Sequence, residues 1–236
     1  MPSPTQWEDY WDSFPRKSGR DEFLRQVGKT VRGQPISTEQ LELLIADVIQ
    51  KLNIKASDQV LDLCCGNGLV TSIVAGKCKQ IVGVDYSSFL LEIARENFSV
   101  PNVRYYCMSA LDITPEKLHI SAPFTKIYMY EALQSFTEEQ LAPLIERLLA
   151  LSNETPVILL ASIPHQRKLG KFYNTPELQQ TYRKNRRTGA LGLGTWWKQS
   201  VIRQTCSLYN LRCEFLPQPE KLHTAHYRFD VRITRK

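Results

Sequence analysis

The chain has 236 residues, of which 42% are hydrophobic and 23% charged, and its formal net charge is +6. This length and composition are typical of a globular protein with one substantial core. No apolar run reaches the roughly 20 residues that a membrane-spanning helix needs, and the polar, aromatic N-terminus is unlike a secretory signal. We therefore expect a cytoplasmic protein without a membrane partner. The six cysteines show no CxxC pair and no Cys/His metal spacing, so we expect reduced thiols and no metal site.

Residues 1–36 show weak periodicity, but they are rich in aromatic residues such as Trp7 and Trp11. Aromatic side chains at this density usually pack against something, which predicts an ordered arm. Ser37 and Gln40 then form a capping box, and the apolar residues that follow fall on one helical face. The first regular helix is therefore predicted to begin at residue 37.

Short apolar strands alternate with amphipathic helices through the middle of the chain. The predicted strands are VLDLC, QIVGVD, VRYYC, KIYMYE and PVILLASI. A helix capped by Thr137 and Gln140 precedes the fifth strand, and Pro143 is expected to bend it. This alternation predicts a parallel sheet covered by helices on both faces.

The pattern changes after the fifth strand. Residues 164–195 are basic, contain glycine and lack periodicity, which favours a lid insertion. A helix resumes near Trp196, and RCEFL and HYRFDVRIT follow as two strands with no helix between them, so they must pair antiparallel. We predict an α/β fold with a doubly wound, mostly parallel sheet of seven strands, the last one antiparallel. Residues 1–36 form an arm or lid, and residues 37–236 form one domain that contains the insertion.

Chemistry is expected at the carboxyl ends of the first two strands, because open parallel sheets bind ligands there. The first strand runs into Asp62-Leu63-Cys64-Cys65-Gly66-Asn67-Gly68. Glycine permits positive φ and close backbone approach to a ligand. The second strand ends at Asp85, whose carboxylate suits the hydroxyls of a ribose, and Tyr86 could stack on a base.

These two segments, VLDLCCGNG and IVGVDYS, resemble the leading motifs of the class I S-adenosylmethionine-dependent methyltransferases, commonly VLDLGCGTG. The resemblance covers about residues 57–163 and implies a Rossmann-like fold with S-adenosylmethionine as cofactor. Cys64 stands where the family has glycine, so the turn must keep φ negative there or accept strain. The residues that the resemblance implies for cofactor binding are Asp62, Cys64, Gly66, Gly68, Asp85 and Tyr86, with Met108, Ser109 and Ala110 beside the adenine and Tyr130 and Glu131 facing the sulfonium.

Methyl transfer from a sulfonium requires mainly positioning and exclusion of water. His165, which directly follows the fifth strand, is the leading candidate for a general base. Glu131 and His226 are further candidates for contact with the acceptor. In the arm, Gly28 and Gly33 flank Lys29, and we expect this flexible cationic segment to close over the cofactor carboxylate.

Three other functions are alternatives to a small-molecule methyltransferase. A dinucleotide-binding oxidoreductase would need G-x-G-x-x-G, with glycine where this chain has Cys64 and Leu69. A non-catalytic cofactor-binding protein is disfavoured because the turn is largely intact. MYEALQSF resembles the EALHHF-like segment of small-molecule methyltransferases and lacks the (D/N)PP(Y/F) of base-amine enzymes. We expect methylation of an O or N atom of a natural-product or sugar-like acceptor. An RNA or protein methyltransferase that uses the basic insertion is the alternative, but nucleic acid is not the favoured partner. The sequence leaves the oligomeric state open.

Overall fold

The structure, a computed structural model, describes residues 4–236. Its N-terminal arm consists of helix α1 (Pro4–Ser13), a 3-10 turn (Pro15–Lys17), helix α2 (Phe23–Gln26) and a small hairpin of strands β1 (Thr30–Val31) and β2 (Gln34–Pro35). The central elements are α3 (Thr38–Leu52), β3 (Gln59–Leu63), α4 (Leu69–Ala75), β4 (Gln80–Asp85), α5 (Ser88–Asn97), β5 (Val103–Cys107), β6 (Phe124–Tyr130), α6 (Leu141–Leu151) and β7 (Ser152–Pro164). The last elements are α7 (Leu169–Phe172), α8 (Pro176–Thr188), α9 (Gln199–Leu208), β8 (Leu211–Leu216) and β9 (Arg228–Arg235).

The main sheet has seven strands in the order β5-β4-β3-β6-β7-β9-β8. Strands β3 to β7 are mutually parallel, and β9 runs antiparallel to both of its neighbours. The predicted doubly wound sheet with an antiparallel last strand is confirmed. Because the order reverses at β3 and β6, the carboxyl ends of these strands form the switch point of the sheet.

Helices cover both faces of the sheet, and each face has its own apolar cluster. Leu61 and Leu63 point into one cluster with α6 and α9, while Val60 and Ile81 point into the other with α3 and α4. Strands buried on both faces are continuous apolar runs rather than alternating ones. This is why VLDL and IVGV could be recognised as central strands from their sequence.

One of the two predicted capping boxes is complete, and Pro143 lies earlier in its helix than the sequence suggested. Thr137 and Gln140 cap each other reciprocally, whereas Ser37 accepts from the Gln40 N–H but the Gln40 side chain bonds Lys221 and His223 instead of returning to Ser37. A 3-10 turn follows Thr137, so α6 begins only at Leu141. Pro143 therefore lies in the first turn, where its missing N–H has no helical partner to lose, and no bend is required.

The insertion is not aperiodic coil, as its sequence suggested, because it contains the 13-residue helix α8. Thr175 caps its N-terminus by accepting from the Leu178 N–H, and Pro176 occupies the first helical position. Gly189 ends the helix in the left-handed conformation, with φ +71°. These end signals define α8 without any apolar stripe, which is why periodicity missed it. Within residues 4–236, no helix combines the length and apolar character needed to cross a membrane.

Candidate active site

A cavity with an interior volume of about 160 Å³ opens at the carboxyl ends of β3, β4 and β6. The floor comes from the turn after β3 and the residues that end β4 and β6, while the arm forms a wall. Its lining consists of Trp7, Glu8, Trp11, Val27, Lys29, Asp62, Cys64, Cys65, Gly66, Asn67, Leu69, Val70, Asp85, Tyr86, Leu90, Ser109, Ala110, Leu111, Tyr128, Tyr130, Glu131, Ala132, Ser135, Phe136 and Gln140.

The turn after β3 is built from three residues with positive φ. Gly66 and Gly68 have φ of +58° and +78°, and Cys64 has φ +61°. The sequence left two possibilities for Cys64, and the structure has the strained one. A Cβ on Gly68 would collide with the hydroxyl of Tyr105 and the methyl group of Ala94. Gly68 is thus required by the packing of β5 and α5 behind the turn, and it does not itself line the cavity.

Two buried carboxylates face the cavity. Asp62 Oδ2 accepts hydrogen bonds from the Thr71 and Tyr128 hydroxyls, each at 2.6 Å. Burial raises the pKa of Asp62 to about 6, against the opposing effect of these two hydrogen bonds. Asp85 accepts from the backbone N–H of Gly66 at Oδ2 and of Ser87 at Oδ1, both at 2.9 Å, and burial raises its pKa as well. Two buried carboxylates at one cavity provide acceptors for a ligand that carries both a cation and hydroxyl groups.

Glu131 joins the arm to the last strand through two ion pairs. Its carboxylate lies 3.4 Å from Lys29 Nζ and 3.3 Å from the Arg228 guanidinium. Burial acts to raise the pKa of Glu131, but Arg228 and Lys29 outweigh it, so the pKa is lowered. Lys29 also lies over the Tyr130 ring, 4.7 Å from its centroid. Together, Glu131, Lys29 and Arg228 carry one net positive charge beside the cavity.

Polar contacts fix the arm to the turn after β3 and to the residue that follows β4. The Asn67 side-chain amide donates to the Phe23 carbonyl oxygen at 2.8 Å and to the Gln26 side chain at 2.9 Å. The Tyr86 hydroxyl donates to the Trp7 carbonyl oxygen at 2.9 Å. Residues on both sides of the cavity floor thus hold the arm over the opening.

The insertion returns to the cavity mouth at its C-terminal end. The Thr195 N–H donates to the Gln134 carbonyl oxygen at 2.8 Å, and the Thr195 hydroxyl donates to the Phe136 carbonyl oxygen at 2.6 Å. Gly194 has φ +87°, and a Cβ there would meet the Gln134 carbonyl oxygen and the Trp7 ring. The arm and the insertion therefore touch each other beside the cavity.

Most residues that the sequence singled out for the cofactor converge on this cavity. They are Lys29, Asp62, Cys64, Gly66, Asp85, Tyr86, Ser109, Ala110, Tyr130 and Glu131. Met108 is not in the lining; it packs against the core. Sequence reasoning did not assign Trp7, Val27, Leu90 or Phe136 to the lining, although the aromatic density of the arm was a usable signal.

The two histidines proposed for the acceptor lie outside the cavity lining. His165 Nδ1 accepts from the Arg167 N–H at 3.0 Å, and its ring packs on Phe229. Burial, together with Lys168 and Arg167, lowers the pKa of His165. His226 precedes β9 instead of opening it, because the strand begins at Arg228. The cavity lining of the described chain contains no histidine.

Comparison with known proteins identifies the class. Residues 60–154 match the sequence model of a family described as a methyltransferase domain. A magnesium protoporphyrin IX methyltransferase from Synechocystis, solved with bound SAH, has the same fold with a TM-score of 0.64 and 14% identity, over 99% of each chain. Residues 60–154 therefore match a methyltransferase domain, and the whole chain has the fold of the class I S-adenosylmethionine-dependent methyltransferases. The cofactor of such enzymes is S-adenosylmethionine.

Curated relatives match over the domain's core only. A probable cobalt-precorrin-6B methyltransferase from Methanocaldococcus jannaschii is 32% identical over 84 residues, which are 36% of this chain and 42% of that protein. Human tRNA (uracil-5-)-methyltransferase homolog A is 31% identical over 97 residues, 38% of this chain and 16% of that protein. The matches span less than half of the length of these relatives.

The residues present fit the cofactor. Its ammonium, ribose and carboxylate groups need an anion, a hydroxyl acceptor and a cation, and Asp62, Asp85 and Lys29 line the same cavity. The Asp85 carboxylate accepts backbone N–H groups from Gly66, Ser87 and Tyr86, and its two oxygens have further lone pairs for a ribose hydroxyl. The apolar side chains of Leu90, Ala110 and Leu111 border the region where a flat base would lie.

Proposed function

We propose that this protein transfers a methyl group from S-adenosylmethionine to an O or N atom of a small-molecule acceptor, of natural-product or sugar-like type. The observation that carries this proposal is the aromatic wall that the arm gives to the cavity, to which it contributes Trp7 and Trp11. The insertion is hydrogen-bonded to Gln134 and Phe136 beside the cavity. A concave site with an aromatic wall suits a compact acceptor.

Three residues of the cavity would each bind one polar group of the cofactor. Asp62 accepts from the cofactor ammonium, Asp85 from the ribose hydroxyls, and Lys29 binds the carboxylate. The cofactor supplies a methyl group on a sulfonium, which is a good leaving group. The arm excludes water, and the ordered floor fixes the approach of the acceptor.

Glu131 is proposed to position other groups instead of accepting a proton. Lys29 and Arg228 stabilise its ionised form and lower its pKa, which makes it a weak base at neutral pH. The assignment of His165 and His226 to proton transfer stays a prediction. Near wild-type turnover of His165→Ala with saturating acceptor would contradict the role of His165.

The experiment has two stages. Calorimetry should first show binding of S-adenosylmethionine, and this binding should be weakened at least tenfold in Asp85→Asn. The full chain is then incubated with cofactor and a panel of hydroxylated and amino-bearing small molecules, and release of S-adenosylhomocysteine is recorded. No cofactor binding would refute the proposal, and turnover with RNA but with none of the small molecules would replace it.

The alternative is an RNA methyltransferase. The similarity of residues in the core domain to a tRNA methyltransferase and the basic insertion favour this alternative. The full-length structural match is instead to a protein whose printed name gives a porphyrin as its acceptor. Because that match includes the arm and the insertion, it supports the small-molecule proposal.

A further inference from the structure

The positive charge of this chain is concentrated in the insertion. Residues 164–195 contain seven of the 30 lysines and arginines and only one of the 24 acidic residues. The segment alone therefore carries a formal charge equal to the +6 of the whole chain. The rest of the sequence is electrically balanced, so the excess is a local property and not a general surface bias.

Helix α8 carries four of the seven cations, and its side chains do little packing. None of its residues is buried. Its main aromatic contact is between Tyr182 and Tyr173, whose ring centroids are 4.6 Å apart. The helix is nevertheless well defined by Thr175 and Pro176 at one end and Gly189 at the other. A capped helix that contributes no residue to the core presents its polar side chains for another purpose.

One face of α8 is a cationic surface without compensating acids. Arg183, Lys184 and Arg187 line one depression together with Gln180 and Thr181, as their spacing of three and four residues allows. Within the described part of the chain, these three cations form no ion pair with a carboxylate. Arg183 and Arg187 are four residues apart, and like charges at that spacing destabilise a helix. An anion bound on this face would relieve the repulsion.

We propose that this face of α8 binds the phosphate groups of the acceptor, which is then a phosphorylated small molecule such as a nucleotide-linked compound. The inference rests on the proposed function and names its substrate class. Guanidinium groups match phosphate oxygens in forked pairs, and the Lys184 ammonium can add a further charge-assisted hydrogen bond. From Gln180 to Arg187 the face is about 10 Å long, which exceeds one carboxylate and accommodates a diphosphate.

The insertion links α8 along the chain to the segment beside the cavity. The helix ends at Gly189, and the short loop that follows leads to Thr195. Thr195 is hydrogen-bonded to Gln134 and Phe136 at the cavity mouth. A phosphate on α8 is thereby anchored close in sequence to the point where the insertion meets the cavity. The other end of the same molecule would extend toward the methyl group.

The test measures anion binding by the full chain in the absence of cofactor. The probes are tripolyphosphate and UDP, titrated by calorimetry at low and at moderate salt. We expect binding that weakens with salt and that falls at least tenfold in the Arg183→Gln/Lys184→Gln variant. Glutamine keeps a high helix propensity, and circular dichroism verifies that α8 is retained. The matched control is Lys77→Gln/Lys79→Gln, two exposed cations outside the insertion, with affinity within twofold of wild type.

Three results would overturn the proposal. The first is no binding of either probe, and the second is equal affinity in the wild type and the α8 variant. The third is tighter binding of a 20-nucleotide RNA or of phosphatidylglycerol vesicles than of UDP, which would reassign the face to a polymer or a membrane surface. Cofactor binding and release of S-adenosylhomocysteine are measured in separate experiments. Each of these three results therefore leaves the proposed methyltransferase activity untouched.

Discussion

At the scale of single residues, Asp62 combines burial, two short hydrogen bonds and a place in the cavity lining. Its pKa is raised to about 6 because burial disfavours the charged form. In the free protein this means that stability falls as the pH rises from about 4 through 6, since the folded state holds the proton more tightly than the unfolded chain. A cationic ligand reverses the preference and favours the ionised form.

Cofactor affinity should therefore depend on pH. Above about pH 6, Asp62 is ionised and attracts the cofactor ammonium, so the dissociation constant should be lowest there. As the pH falls through 6, protonation removes this attraction, and the dissociation constant should rise several-fold. Calorimetry between pH 5 and 8 measures this, and Asp62→Asn should bind weakly with little dependence on pH over the range. An equally steep profile in that variant would assign the effect to another group.

The left-handed backbone at Cys64 gives the second prediction at this scale. Left-handed φ costs an ordinary residue about 1–2 kcal/mol, and β-branched residues are hindered further. Cys64→Gly removes the strain but adds about 0.5–1 kcal/mol of unfolded-state entropy, so its unfolding free energy should stay within about 1 kcal/mol of wild type. Cys64→Val should be roughly 2 kcal/mol less stable than Cys64→Gly in urea unfolding. As a control, Cys213→Val lies in strand β8 and should cost little; equal losses at both sites would argue against strain.

The sequence predicts the functional groups of the cavity floor but not the backbone conformation of the turn that forms it. Asp62 and Asp85 could be predicted because one lies next to the last residue of β3 and the other ends β4, and such strand ends meet at one edge of a parallel sheet. The conformation of Cys64 could not be predicted, because either sign of φ is compatible with the residues around it. The choice follows from how the turn packs against β4 and β5, which only the assembled sheet defines.

At the scale of elements, the arm is the part whose function depends most on one side chain. Lys29 is nearly buried, lies between Glu131 and the Tyr130 ring, and belongs to the hairpin side of the arm. Replacing it removes a cation from the cavity wall and one of the two ion pairs of Glu131. The contacts of Asn67 and Tyr86 would still hold the rest of the arm in place.

We expect Lys29→Gln to raise the dissociation constant of the cofactor at least several-fold, because the cofactor carboxylate loses its cationic partner. Calorimetry with S-adenosylmethionine measures the change. Lys17→Gln is the matched control, an exposed lysine of the same arm, and should bind like wild type. An unchanged constant in Lys29→Gln would show that the arm covers the site without contributing a charge to it.

The elements of the sheet could be read from the sequence more completely than the insertion could. Apolar runs and capping boxes identified β3, β4, β6, β7 and α3, because burial on both faces leaves a strong pattern. Helix α8 lacks that pattern since it buries nothing, so only its caps indicate it. A helix that is defined at its ends and polar along its length escapes any argument from periodicity.

At the scale of the whole molecule, one contact joins segments that are far apart in the chain. Gly194 of the insertion packs on Gln134 and on Trp7 of the arm, and it leaves no room for a Cβ. The arm, the segment after β6 and the insertion therefore meet at this point. A change there should affect how all three close the cavity, while the sheet beneath keeps its own core.

Gly194→Ala tests this contact. Left-handed φ should cost about 1–2 kcal/mol, and the collision with backbone and ring should add about 1–3 kcal/mol. Gly189→Ala is the matched control, since Gly189 also has positive φ but nothing lies within 4 Å of a Cβ there. Urea unfolding should therefore show a clearly larger loss for Gly194→Ala. Equal losses would mean that the arm and the insertion separate without cost.

The ion network around Glu131 also constrains the order in which the parts of this protein fold. Its charges come from residues 29, 131 and 228, so each ion pair closes a loop of about 100 residues. Contacts this distant in sequence form late, because the chain must first lose most of its freedom. Arg228 begins β9, which inserts between β7 and β8. A nascent chain would thus hold every residue that lines the cavity before Arg228 could complete the ion network around Glu131, so this network would be the last part of the site's surroundings to form.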